Sequence, residues 1–229
     1  MNKVIITQSN YIPWKGYFSY MRKATHFVVY DDMQYTKRDW RNRNKLVTPQ
    51  GIKWLSIPID VKGKFSQKIN EAKVADLNWG RDHWNFIETN YRNAPHFKKY
   101  AEVFKPLYLN SKSEYLTDIN LAFIKEILQL LNINIEIIKS SEFELFGDKT
   151  EKLVNICKVL NATEYYTGPA AKEYMDELKF LENNVKVEYY SLEGYPVYKQ
   201  LYGEFDHYVS IIDMFFNIGD DTIKYFNEI

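Results

Sequence analysis

Short apolar runs rich in β-branched residues alternate with amphipathic stretches at both ends of the chain, and a purely helical periodicity fills the middle. "KVIIT" and "HFVVYDD" predict strands. Between them, the segment from Gly16 carries Tyr17, Phe18 and Met21 at helical spacing. Strand, loop, helix and strand within about thirty residues is the size of a βαβ unit. "KLVTPQGIKWLSIPI" predicts a hairpin that turns at Pro49 to Gly51. From Asn78 the period becomes helical. Trp84, Ile87 and Tyr91 share one face, "NAP" stops that helix, and "FKKYAEVF" starts a second. A third, with Ser113 as its candidate cap, stacks Leu116, Ile119, Phe123, Ile127 and Leu131. The last third alternates again: "NIEIIKS" strand, "KTEKLVNICKVL" helix, "TEYYTG" strand, "PAAKEYMDELKFL" helix, "VKVEYYS" strand.

Strands and helices alternating at this pitch imply right-handed crossovers and parallel pairing. The expected fold class is therefore α/β: a mainly parallel, Rossmann-like sheet built from first-third and last-third strands, with a β-hairpin. A single domain over residues 1–229 would hold it, with a helical insertion at about 78–132. Thirty basic and thirty acidic side chains give a net charge of zero. A nucleic-acid binder usually carries a basic surplus, so that class is disfavoured. The single cysteine, Cys157, rules out an internal disulfide and suits a reducing compartment. It falls on the apolar side of a helix, with Leu153 and Leu160, where a buried inert thiol is the plainer reading than a nucleophile. "MNKVIITQSNYIPW" lacks the length and cleavage site of a signal peptide. No apolar stretch reaches the ~20 residues of a membrane span. A cytoplasmic location is expected. Aromatics make up 17% of the chain, with nineteen tyrosines, a side chain suited to sugars and bases as well as to cores. Tyrosines left exposed would also suit a homodimer.

In an open parallel sheet, ligands bind beyond the carboxyl ends of the strands. Three segments leave such ends. In "TQSNYIPWKGY", free amides at Gly16 beside Lys15 suit an anion, although Pro13, Trp14 and Gly16 would equally shape a tight connection. In "YYTGPAAKEY", Gly168 and Pro169 fit an N-cap and first helical position, with Thr167 adjacent; a plain helix start explains them nearly as well. The segment "YDDMQYTKRDWRNRN" is the informative one. Arg38, Arg41 and Arg43 offer forked donors for carboxylate or phosphate. Asp31 and Asp32 suit neutralisation, a metal or a general base. An ion-paired surface hairpin is the competing reading, but it does not need Gln34, Trp40, Asn42 and Asn44, which suit directional polar recognition. Histidines at 26, 83, 96 and 207 show no zinc spacing. His83, on the helix with Trp84 and Tyr91, reads as a packed histidine or as a base. There is no serine elbow, P-loop or dinucleotide fingerprint.

Taken together, "QSNYIPWKGYFSYM", "FVVYDDMQYTKRDWRNRN", "WLSIPI", "SQKINE", "WGRDHWNFIETNYRNAPHF", "EYYTGPAAKEYM", "YKQLYGEF" and "SIIDMFFNIG" resemble the WbqC-like family, in order and over essentially the whole chain. Two departures are Gln8-Ser9 where the family usually has glutamine-proline, and Met33 in place of a valine. The matching motif positions are Gln8, Tyr11, Pro13, Gly16, Tyr17, Asp31, Asp32, Gln34, Arg38, Trp40, Asn42, Arg43, His83, Tyr91, Gly168, Gln200 and Asp213. The resemblance implies surface-polysaccharide (O-antigen or capsule) biosynthesis, with acyl or aminoacyl transfer to a nucleotide-linked amino sugar. The partners would be that sugar nucleotide and a small acyl donor. Tyr11, Trp14 or Trp40 would stack on sugar or base, the arginines and the helix at Gly16 would meet phosphates, and His83, Asp31 or Asp32 would serve as base. Alternatives are an ATP-dependent amide ligase forming an acyl-adenylate, which would bring Mg2+ with ATP, and a non-catalytic sugar-nucleotide-binding module. The layout of the first βαβ unit also looks like the nucleotidylyltransferase and pantothenate synthetase superfamily. Its His-x-Gly-His loop is here "WKGY", with Trp14 and Tyr17 replacing both histidines, which argues against adenylyl transfer by that route.

Overall fold

The computed structural model describes residues 1–191 and 194–227. The chain forms two compact units, each assembled from separate segments: Met1–Gln8, Gly16–Asp32 and Ile133–Gly194 in the first, Ser9–Lys15, Met33–Asn132 and Tyr195–Ile229 in the second.

The first unit holds the parallel sheet, and all five strands expected of it are present. They are β1 (Asn2–Thr7), β2 (His26–Val29), β5 (Glu136–Lys139), β6 (Ala162–Thr167) and β7 (Lys186–Tyr189), in the order β5-β2-β1-β6-β7. Every neighbouring pair is parallel, with Ile5 opposite Phe27 on one side and Tyr166 on the other. Chain order along the sheet reverses between β1 and β6, which is the Rossmann arrangement. Three consecutive buried residues in β1, Val4 to Ile6, reflect a central strand covered on both faces. Helix α1 (Lys15–Met21) links β1 to β2. Helix α5 (Lys149–Val159) links β5 to β6 and packs Leu153, Ile156 and Cys157 against Val4, Val28 and Tyr165. Cys157 is accordingly buried, and burial pushes its thiol up to about 12. A capping box starts α5: Asp148 accepts from the Glu151 amide at 2.8 Å, and Glu151 accepts from the Asp148 amide at 2.7 Å.

The helix expected over "PAAKEYMDELKFL" is broken in two. Gly168 and Pro169 do open it, but only as a 3-10 turn over Pro169–Glu173. Asp176 then caps a separate helix, α6 (Glu177–Leu181), by accepting from Leu178 N at 3.1 Å. A side chain that satisfies the amide two residues on favours restarting a helix over continuing one.

The second unit contains the hairpin β3 (Arg43–Thr48) and β4 (Gly51–Ser56), and helices α2 (Trp79–Tyr91), α3 (Phe97–Leu109), α4 (Leu116–Leu130), α7 (Ile211–Ile218) and α8 (Asp221–Asn227). Gly51, with φ +89°, makes the hairpin turn. Helix α7 is apolar nearly all round and correspondingly buried, with Phe215 and Phe216 against Tyr91, Phe97, Tyr100 and Phe104. Ser210 caps it, as expected, accepting from Ile212 N at 3.3 Å. Ser113 does not cap α4. Residues 114–115 run extended beside 72–74, with Val74 N donating to Glu114 O and Leu116 N to Ala72 O, so the helix begins only at Leu116. Among the described residues, no helix is long and apolar enough to cross a membrane.

Candidate functional site

The loop between residue 36 and β3 is built around Asp39. Its carboxylate accepts from Thr36 Oγ1 and from Trp40 N, each at 2.7 Å, and lies 3.8 Å from Arg41 Nη2. Burial opposes the charge on Asp39, but these donors and the nearby Arg43 hold its carboxyl below the usual range. Arg38, next in line, takes the left-handed conformation at φ +58° and leaves its side chain exposed. Asn42 and Asn44 serve the backbone: Asn42 Nδ2 donates to Ile57 O at 2.7 Å, and Asn44 Nδ2 to Tyr11 O at 3.1 Å and Ile12 O at 2.9 Å. Arg41 is similarly drawn inward, donating to Asn10 Oδ1, while its carbonyl accepts from Asn120.

What this framework presents is a cationic and aromatic platform on the hairpin. The register puts Lys45 directly opposite Trp54, with Arg43 diagonal to it on the same face. The Arg43 guanidinium lies 4.0 Å from the Trp54 ring centroid, and its Nε has no hydrogen-bond partner among the described residues. Trp40 and Trp54 stand 5.1 Å apart, tilted by 46°, and keep exposures of 38% and 43%. Lys45 Nζ is 5.9 Å and 5.7 Å from their two rings and 3.7 Å from Asp206 Oδ2. Two half-exposed tryptophans flanked by an arginine and a lysine offer flat apolar faces beside fixed positive charge.

A buried polar cluster lies on the strand leading from the platform. Val47 N of β3 donates to Tyr91 Oη at 3.0 Å, and Tyr91 in turn donates to Asp213 Oδ2 at 2.7 Å. Tyr198 at 2.7 Å and Gln200 at 3.1 Å donate to Asp213 Oδ1. Gln200 also brackets Asp206, donating to its carbonyl at 3.0 Å and accepting from its amide at 2.9 Å. Asp213 is fully enclosed, and desolvation raises its carboxyl despite the donors Tyr91, Tyr198 and Gln200; Asn217 Nδ2 donates to its backbone carbonyl at 2.8 Å. Lys15, expected to face a phosphate, is only 2% exposed instead. Its Nζ donates to His207 O at 3.2 Å and sits 5.2 to 5.8 Å from the rings of Phe205, Tyr198, Tyr195 and Tyr225. Desolvation lowers it to about 8 against the pull of Asp213 and Asp206. The turn that delivers it is strained, since Ile12 adopts φ +37°, rare for a β-branched residue, and is held there by Asn44. Trp14 packs between Tyr195 at 5.5 Å and Tyr208 at 5.3 Å.

His83 forms a third buried group with Tyr11. Its Nε2 faces Ser56 O at 3.1 Å, so it carries the proton, and Nδ1 accepts from Tyr11 Oη at 2.8 Å. Burial pushes this imidazole down to about 4, and Tyr108 Oη lies 3.2 Å from Tyr11 Oη. Gln34 Nε2 donates to Phe65 O at 2.8 Å.

The remaining expected residues belong to the first unit, at the carboxyl ends of its strands. Gln8 O follows β1 and accepts from Tyr17 Oη at 3.0 Å; Gly16 O accepts from Ser19 Oγ. Thr167 O ends β6 and accepts from Tyr190 N at 3.1 Å. A Cβ on Gly168 would meet the Tyr190 hydroxyl at 3.1 Å. Beyond β2, Asp31 is buried and Asp32 accepts from Ser140 Oγ. The ends of β1 and β6 flank the sheet's reversal of order, where ligands bind in this architecture, and that of β2 lies one strand further out.

Sequence reasoning missed Trp54, Lys45 and Asp206. Counting outward from Gly51 pairs Lys45 with Trp54, so the hairpin register held that signal; nothing near Asp206 in the chain points to Lys45.

Fold and site together define an α/β protein with a Rossmann-ordered sheet and a solvent-facing cationic, aromatic platform. The chain belongs to the WbqC-like protein family, whose model matches residues 8–225. It is 44% identical over 225 residues, covering 98% of this chain and 97% of the relative, to the "Uncharacterized protein Rv1507c" of Mycobacterium tuberculosis. No solved structure matches it significantly.

Proposed function

We propose that this protein is an enzyme of bacterial surface-polysaccharide biosynthesis that transfers a small acyl or aminoacyl group to the amine of a nucleotide-linked amino sugar. The observation that carries this reading is the platform. A pyranose ring offers an apolar face that stacks on tryptophan, and the diphosphate joining it to the nucleoside is what forked and point cations recognise. Trp40 and Trp54 take the sugar; Arg43 and Lys45 take the phosphates. The sugar amine attacks the acyl carbon, an amide bond forms, the bond from that carbon to its carrier breaks, and the ammonium proton must leave. His83 has both ring nitrogens occupied inside the core, whereas Asp206, which accepts from Tyr208 N at 2.7 Å through Oδ1, keeps Oδ2 3.7 Å from Lys45 Nζ at the platform edge. We assign Asp206 as the group that receives that proton. We also propose the carboxyl ends of β1 and β6, with Gln8, Gly16, Tyr17, Thr167 and Gly168, as a second ligand site within the first unit.

The test is a thermal-shift panel of UDP-, dTDP-, GDP- and CDP-linked amino sugars beside ATP with magnesium, followed by mass spectrometry of acylated product. Ligands that bind only the folded state raise the melting point. Replacing Arg43 or Trp54 with Ala should lower sugar-nucleotide affinity about tenfold or more while moving the ligand-free melting point little. Equal loss of fold and binding would sink the platform's role. A response to ATP with magnesium alone, with AMP release, would move the assignment to an acyl-adenylate ligase. Tight binding without turnover of any donor would leave a binding module.

A further inference from the structure

The stretch that leads into the platform also walls a separate cleft. Tyr35 N donates to Gln67 O and Ile69 N to Met33 O, each at 2.9 Å, so residues 33–35 and 67–69 lie side by side as an antiparallel ribbon. The loop joining them passes through Gly63 at φ +72° and is pinned by Gln34 Nε2 on Phe65 O. Between loop and ribbon is a cleft of about 580 Å³, lined among others by Gln34, Tyr35, Lys37, Val61, Phe65 and Gln67. That volume lies within the range of small-molecule sites.

Two features of the lining have no role in the fold. Gln67 is 8% exposed and donates through Nε2 to Asp60 O at 3.0 Å, yet its Oε1 is buried without a donor among the described residues. Buried acceptors are normally paired, so this oxygen can take one more donor. Phe65, also in the lining, is 91% exposed, a large ring left in water. Cleft and platform are neighbours along the chain: the lining residues Gln34 to Lys37 run directly into the loop that carries Trp40 and Arg43.

We propose that this cleft is the nucleobase subsite for the ligand whose sugar lies on the Trp40–Trp54 platform, an inference that rests on the function proposed above. A ring or amino N–H of the base donates to Gln67 Oε1 and supplies the missing partner. Phe65 lies against the face of the base, a contact every base can make. Lys37, which has no ion pair among the described residues, and Lys64, held by Asp60 at 2.6 Å, flank the diphosphate as it leaves toward Arg43.

Isothermal titration of the full chain with UDP, dTDP, GDP and ADP, and with glucosamine 1-phosphate as a probe lacking the base, separates the two subsites. At least one nucleoside diphosphate should bind. Phe65→Ala should weaken it by about tenfold, and Gln67→Met likewise. Neither should change glucosamine 1-phosphate, which Trp54→Ala should weaken. Because Phe65 is exposed, its variant carries the test even where Gln67→Met fails to fold. Unchanged diphosphate affinity in Phe65→Ala, or no diphosphate binding at all, overturns the base subsite; binding of glucosamine 1-phosphate through Trp54 would then still uphold the platform. Diphosphate binding lost in Phe65→Ala, with no binding of the sugar phosphate, would support the cleft and sink the amino-sugar reading.

Discussion

At the scale of single residues, the chemistry turns on which polar groups the fold satisfies and which it leaves exposed. Asn42, Asn44 and Arg41 look, in sequence, like ligand-facing amides and cations, and in the structure they tie loops together. Trp54 and Lys45 attract no notice in sequence, yet with Arg43 they make the face that meets solvent. Lys15 is the sharpest case. It is drawn into a cage of four aromatic rings that come from 180 or more residues further on, so no local pattern foretells its burial. Its consequence is measurable. Desolvation lowers the folded lysine to about 8, against the ordinary lysine value of 10.5 in the unfolded chain. Below the lower value both states hold the proton, and the folded state bears the full cost of the enclosed charge. Between the two values the unfolded state binds more protons, so stability rises with pH. Wild-type protein should therefore gain about 2 kcal/mol on a Lys15→Met variant between about pH 7 and pH 9.5, read from denaturant unfolding at each pH. Parallel pH curves for the two proteins would show that the amine is not desolvated as described.

At the scale of elements, periodicity located the helices and strands, while their ends followed tertiary contacts. Apolar spacing in α2 points to Trp84, Ile87 and Tyr91 as one buried face, and all three are buried. Spacing says nothing of how near α2 and α3 approach. That is set by Gly80, where a Cβ would come within 2.1 Å of the Tyr108 carbonyl oxygen. Helix propensity alone would favour alanine at this position by about 1 kcal/mol. The clash wins, because backbone cannot rotate away as a side chain can, and overpacking of this kind typically costs about 1–3 kcal/mol. Gly80→Ala should thus lower the unfolding free energy by about 2 kcal/mol in a denaturation experiment. A neutral or stabilised variant would mean that the two helices are not in contact at this point. Similarly, Ser113 fits a cap on paper, but strand-like pairing of residues 114–115 with 72–74 takes the backbone first.

At the scale of the whole molecule, the parallel sheet was legible because alternating strands and helices admit few topologies, and each strand is marked by a short run of β-branched or aromatic residues. The division into two units was not, because residues 9–15 and 195–229 join the second unit across long stretches of chain, and sequence separation hides such neighbours. Charge is legible at this scale too, and it makes a prediction. Thirty cations balance thirty anions, so no long-range field draws in polyphosphates, and the positive groups that matter are the few at the platform and cleft. A protein that releases counterions at six to ten phosphates loses roughly 10³–10⁵ in affinity between about 50 and 200 mM salt. A sugar nucleotide carries only its two phosphates. Its affinity here should fall by no more than about tenfold over the same range, and a fluorescent DNA duplex should show no saturable binding at the higher salt. Titrations of both ligands at the two salt concentrations decide the matter. A steep salt dependence for the sugar nucleotide would mean that many more cations converge on it than Arg43, Lys45, Lys37 and Lys64, and saturable DNA binding would return the basic segment at 37–45 to the nucleic-acid reading.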